Sequence, residues 1–293
     1  MLRKTALVAT LAFASLALAA DWKEPEDKAL HDREVKDYVV YLQALKKVGG
    51  KWHEQSRYVS TDVEKKALNE AAIERDEVVF AMTRVQVVAR QLVIDAAPAD
   101  TWEKAEKAAS EKLSQAEKKL DEIMKNGPKE LGELDKVNVE LVRADRARAE
   151  IVVSMIVRMI KGGLLRKEES ETKDAAKLHA IQNKLDDLKA EDMKGLDAQM
   201  DEDRKWDAAF RQKGELVQKL QKVGATDGLK QLELAEEARR DLEEVEAAKA
   251  DKTAGKKLDA ALDASVAPVK ASLQEIEKAF AELGSPLFRA VAK

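Results

Sequence analysis

The sequence predicts an all-α protein: an up-and-down helical bundle followed by a long helical hairpin (a coiled coil) or a second helical bundle. Three observations lead there. Charged residues make up 37% of the chain and aromatics only 4%, the balance of long, solvated helices. Breakers are few, 5 Pro and 12 Gly in 293 residues, so the segments between them are long. Large apolar residues recur at steps of three and four, the period of one helix face and not of a strand.

The chain opens MLRKTALVATLAFASLALAADWKEPEDK. Arg3 and Lys4 precede an uncharged apolar run over residues 5–19, and Ala17-Leu18-Ala19 has the small-residue spacing of a cleavage site. Residues 1–20 read as a secretory signal peptide of bacterial layout, because the run is short for a membrane anchor. The mature chain is then expected in the periplasm or secreted. With no cysteine, it has neither disulfides nor a lipid-bearing thiol.

The first helix is expected from about Pro25 to Lys47, ended by Gly49-Gly50. After the loop GGKWHEQSRYVS, Thr61-Asp62-Val63-Glu64 has the capping-box pattern and opens a second helix. That helix should run to about Asp95, short of Pro98. Asp100-Thr101-Trp102-Glu103 repeats the device for a third helix. Trp102, Ala105, Ala109, Leu113, Ala116, Leu120 and Ile123 share one face of it, and Asn126-Gly127-Pro128 stops it. A fourth helix is expected from Lys129 to Lys161, ended by Gly162-Gly163. Residues 22–163 thus read as one bundle with short, antiparallel connections. Within the fourth helix, the apolar block Ile151–Ile160 carries Glu150, Ser154, Arg158 and Lys161 on one narrow stripe. The stripe should face water while the rest packs.

Residues 164–284 show heptad-like seams. Leu178, Ile181, Leu185 and Leu188 form one, and Trp206, Phe210, Val217 and Leu220 another. The turn over residues 223–228 has Gly224 as its helix stop. Beyond it come Leu229, Leu232, Leu242 and Val245, then Val266, Val269, Leu273, Ile276, Phe280 and Leu283, with Pro268 expected to kink that last helix or mark its start. Folding the chain at residue 225 sets Gly195 opposite Gly255, which predicts either a hinge there or a fold-over of both arms. Residues 285–293 form a short C-terminal tail, docked or frayed.

Chemistry is hard to find. None of the three histidines, His31, His53 and His179, sits in a metal-binding pattern. His53 beside Glu54 lacks further ligands. There is no cysteine nucleophile, no G-x-S-x-G and no glycine-rich phosphate loop. No residue is assigned a catalytic, cofactor-binding or metal-ligating role, and no cofactor or small-molecule substrate is implied. The net charge is −4, and more negative without Arg3 and Lys4. That disfavours nucleic acid and leaves no polybasic patch for anionic lipid. The expected function is therefore an exported, non-enzymatic helical scaffold or protein-binding protein of the cell envelope, chaperone-like in one version. It would act on a protein partner or on itself through coiled-coil faces. The alternative is a membrane-surface protein that uses the apolar helices near 78–94 and 151–160. A metal-dependent enzyme within a bundle is the least favoured reading.

Overall fold

The computed structural model describes residues 28–50, 61–284 and 286–291. Their regular structure is entirely helical, as the composition and periodicity require. The expected signal peptide, Trp22 and the loop with Trp52 and His53 lie outside the described residues. So does the pairing of His53 with Glu54.

Helix α1 spans Lys28–Lys47, and Gly49 follows at φ +78°, the left-handed conformation that ends helices. Helix α2, Asp62–Ala71, opens on the expected capping box. The Glu64 N–H donates to the Thr61 hydroxyl at 3.0 Å and the Thr61 N–H donates to the Glu64 carboxylate at 3.3 Å. The expected single second helix is two, since α3 spans Arg75–Ala96. The break is at Ala72, which is left-handed (φ 55°) and turns its N–H onto the Asn69 and Leu68 carbonyls. No glycine or proline announces that turn. Helix α4, Ala99–Met124, starts directly after Pro98 with no side-chain cap. Asp100 pairs instead with Lys104, four residues on. Its hydrogen bond and charge hold the Asp100 carboxyl below its ordinary range.

Helix α5 runs over Glu130–Glu171, so Gly162-Gly163 does not end it. A helical glycine costs about 1 kcal/mol, which a continuous 42-residue ladder absorbs. The stop comes at residues 172–174, where the Asp174 carboxylate accepts the N–H groups of Ala176 (2.8 Å) and Lys177 (3.2 Å) and so starts the next helix. Helix α6, Ala175–Lys222, passes unbroken through Gly195. Helix α7, Thr226–Ala254, ends with left-handed Gly255. The hinge expected on both arms is therefore a chain break on one arm only. A short 3₁₀ turn over Ala260–Leu262 precedes α8, Asp263–Ala271, and α9, Leu273–Glu282. Pro268 lies inside α8, and the last helical stretch divides four residues later at Ser272.

The chain forms two compact units, each assembled from separated stretches. One holds the described residues up to 92 together with 153–196 and 257–287. Its core gathers Tyr38, Tyr41, Leu42 and Leu45 of α1, Val78, Met82 and Val85 of α3, and Val269, Ile276 and Phe280 of α8 and α9. Tyr38 stacks on Tyr41 and meets Phe280 edge-on. Arg84 is buried here and pairs with Glu34 at 3.1 Å. Burial, then the Glu64 carboxylate, push the Tyr41 phenol above its ordinary range, while Arg75 pulls it the other way.

The second unit holds residues 93–152, 197–256 and the tail from 288. Its core is a bundle of α4, the first part of α5, the last part of α6, and α7, centred on Leu120, Leu131, Leu134, Leu216, Leu220 and Leu232. The expected α4 stripe is the face that packs: Trp102, Ala105, Ala109, Ala116 and Leu120 are buried. Arg239 of α7 ties α5 through Asp135 (2.6 Å) and α4 through Glu117 (2.9 Å). Burial works against its charge, yet those two acids leave the guanidinium more basic than an ordinary arginine.

Candidate functional site

The opening in the first unit lies between the last part of α5 and the first part of α6. Two residues shape its end. Arg158 lies across the pair of helices, donating from Nε to Asp192 at 2.7 Å and from Nη1 to the Ser154 hydroxyl at 2.6 Å. Its side chain is only 13% exposed. Gly195 makes room for it, since a Cβ there would run into the guanidinium. This corrects the expected water-facing stripe. Ser154 is exposed as expected, but Arg158 is a half-buried, paired crosslink, because the neighbouring helix supplies both a carboxylate and a glycine at its level.

Beyond Arg158 the helices leave a groove of about 530 Å³. Met159, Gly162, Leu185, Leu188 and Met193 give it an apolar lining, and Arg166, Glu169, Asp186 and Lys189 charge its edges. Gly162 is buried, yet a Cβ on it would touch nothing within 4 Å. The space above it is unfilled. Met193 stands 51% exposed at the edge, and Leu164 nearby on α5 is also exposed. The groove has the features of a peptide- or helix-binding surface: apolar floor, adaptable methionine, charges of both signs at the edge. Its lining contains no histidine, cysteine or serine.

The apolar block that the sequence places at the centre of a bundle is covered only in part. Ile160 is fully buried, but the residues from Ile151 to Met159 are half-buried, apart from exposed Ser154. By contrast Val78, Ala81, Met82, Val85, Val88 and Ala89, among the described side chains of α3, are buried.

Of the expected α6 seam, Leu220 is in the core and Trp206 and Val217 pack against it, but Phe210 does not. Ala209, Leu216 and Leu220 are buried, Trp206 is half-buried, and Phe210 is 54% exposed. Phe210 stacks on Trp206 (4.7 Å between centroids, 10° between planes). Arg148 lies 4.7 Å from the same indole ring and bonds Asp203 at 2.6 Å. The Trp206 indole N–H donates to Asp145 at 2.7 Å. Sequence periodicity alone misreads Phe210, because the position that packs is the preceding Ala209, about 100° away around the helix. Two aromatics four apart in a charged helix were the available signal.

His179 is exposed on α6, and no group of three or more His, Asp or Glu among the described residues is arranged to hold a metal ion. No described helix is long and apolar enough to cross a membrane. Comparison with protein-family models, with curated proteins and with solved structures finds no match for the chain.

Proposed function

We propose that the chain is an exported, non-enzymatic helical protein of the cell envelope that binds a protein partner along a helix face, and that the α5–α6 groove receives it. The observation that carries this is the unfilled space over Gly162, floored by apolar side chains and edged by charges. A groove of this kind accepts an amphipathic segment: apolar anchors enter the floor while charged edges fix register. The pattern of Arg3-Lys4 ahead of an uncharged apolar run, read as a leader, supports the export.

A photo-crosslinking residue in place of Met193, in cells that carry the chain with its leader, tests the reading. A discrete crosslinked protein is expected, and Gly162→Phe, which fills the groove, should remove it. No crosslink, or one indifferent to Gly162→Phe, would overturn the assignment. The half-exposed block Ile151–Met159 favours membrane-surface binding as a second reading. Co-sedimentation of the folded chain with anionic liposomes, abolished by Met155→Glu, would put that reading first.

A further inference from the structure

The second unit contains a different socket, occupied by the end of its own chain. Phe288 is buried, its ring 4.8 Å from that of fully buried Trp102 and inclined at 61°, an edge-to-face contact. Its neighbour Arg289 meets three acids spaced four and three apart on one face of α7. The backbone N–H donates to Glu244 at 3.0 Å, Nη2 donates to Glu237 at 2.6 Å, and Nε lies 3.7 Å from Asp241. An aromatic cup and a triple-acid stripe therefore sit side by side, spaced for two consecutive residues.

The tail does not use everything the socket offers. Asp241 is buried, and the oxygen that faces Arg289 accepts no hydrogen bond. Its other oxygen is held by Lys112 at 2.9 Å. The Trp102 indole N–H is also buried without an acceptor. Buried polar atoms left unmade carry a penalty that a better-fitting ligand would relieve. Arg289 itself is exposed, so its ion pairs are the weak, screened kind. The tail thus fills the socket without satisfying it.

We propose that this socket is a receptor for a partner protein segment carrying an aromatic residue followed directly by arginine, with Phe288-Arg289 as a cis occupant that such a segment displaces. The chemistry of the ligand is read from the occupant: an aromatic edge for Trp102, a guanidinium for Glu237 and Asp241, and a backbone N–H for Glu244. Cis docking sets the threshold. A tail seated nine-tenths of the time lowers the apparent affinity of any competitor about tenfold. This site is separate from the α5–α6 groove and does not depend on it.

The test uses a fluorescein-labelled peptide Pro-Leu-Phe-Arg-Ala-Val and the full chain, read by fluorescence anisotropy. The wild type should bind it weakly, and Arg289→Glu, which releases the tail, about tenfold or more tightly. Adding Glu237→Arg to that variant should abolish binding, and added salt should weaken it. Phe288→Ala serves as an independent release variant, with helical content checked by circular dichroism. Equal affinity for wild type and both release variants, or binding that survives Glu237→Arg, would overturn the proposal. If a release variant instead forms a complex with the wild-type chain in sedimentation, the occupant is a second copy and the partner assignment fails.

Discussion

Gly228 tests the second unit's core with a single methyl group. It lies in the first turn of α7 and is buried, and a Cβ there would meet Leu131 at 2.6 Å (Cδ2), 2.9 Å (Cδ1) and 3.4 Å (Cγ). Leu131 is fully buried in the bundle core, so any retreat presses it on packed neighbours. Replacing a helical glycine by alanine gains up to about 1 kcal/mol, and less in a first turn. Overpacking a tight core costs about 1–3 kcal/mol. The clash should win, and Gly228→Ala should destabilise by about 1 kcal/mol. Gly214 is the control. It is exposed in mid-α6 with nothing within 4 Å of its Cβ position, so Gly214→Ala should stabilise by about 1 kcal/mol. Urea unfolding followed by far-ultraviolet circular dichroism measures both. Leu131→Ala completes the cycle. The Gly228→Ala methyl then enters the vacated space, and the double variant should be about 1 kcal/mol or more better than the sum of the singles. If Gly228→Ala stabilises as Gly214→Ala does, or the double variant is additive, α7 does not seat on Leu131 as described.

Three further outcomes are expected. Arg158→Gln should lower stability by about 1–2 kcal/mol, as for a charged hydrogen bond lost from a largely covered site; a neutral result in the same urea assay would return Arg158 to the solvent stripe. Ala72→Gly should raise stability by about 1 kcal/mol, because a left-handed alanine pays a steric cost that glycine does not; no rise in the unfolding midpoint would contradict the break between α2 and α3. For Asp259, burial raises the carboxyl, but hydrogen bonds from Lys161 (ion pair at 2.7 Å) and the Ala261 N–H outweigh it and leave it below its ordinary value. Its contribution is therefore present above the ordinary aspartate pKa of about 3.9 and lost as pH falls through the lowered native value. Asp259→Asn should cost stability at pH 7 and nothing at pH 2, and a cost unchanged between those two would contradict the pairing.

The helical class, most helix starts and the packing face of α4 were legible in the sequence, because each depends on residues within a few turns of one another. The capping box at Thr61 and Glu64, the left-handed stops at Gly49 and Gly224, and the stripe from Trp102 to Leu120 are all local. The groove was not legible. It depends on Gly195 and Asp192 lying at the level of Arg158, and on α5 continuing through a glycine pair that elsewhere ends a helix. Nor could the sequence show that a six-residue stretch such as PLFRAV holds an aromatic in a tryptophan-lined cup.

By itself, then, the sequence determined where hydrogen-bonded turns are favoured and which face of each helix is apolar, since capping, propensity and periodicity are short-range. Only the tertiary structure decided which of those faces are covered. Arg158 became a crosslink and Phe210 an exposed ring through the register of neighbouring helices. Register is a long-range choice, made where the summed burial of both partners is best and not where any one residue would prefer to be.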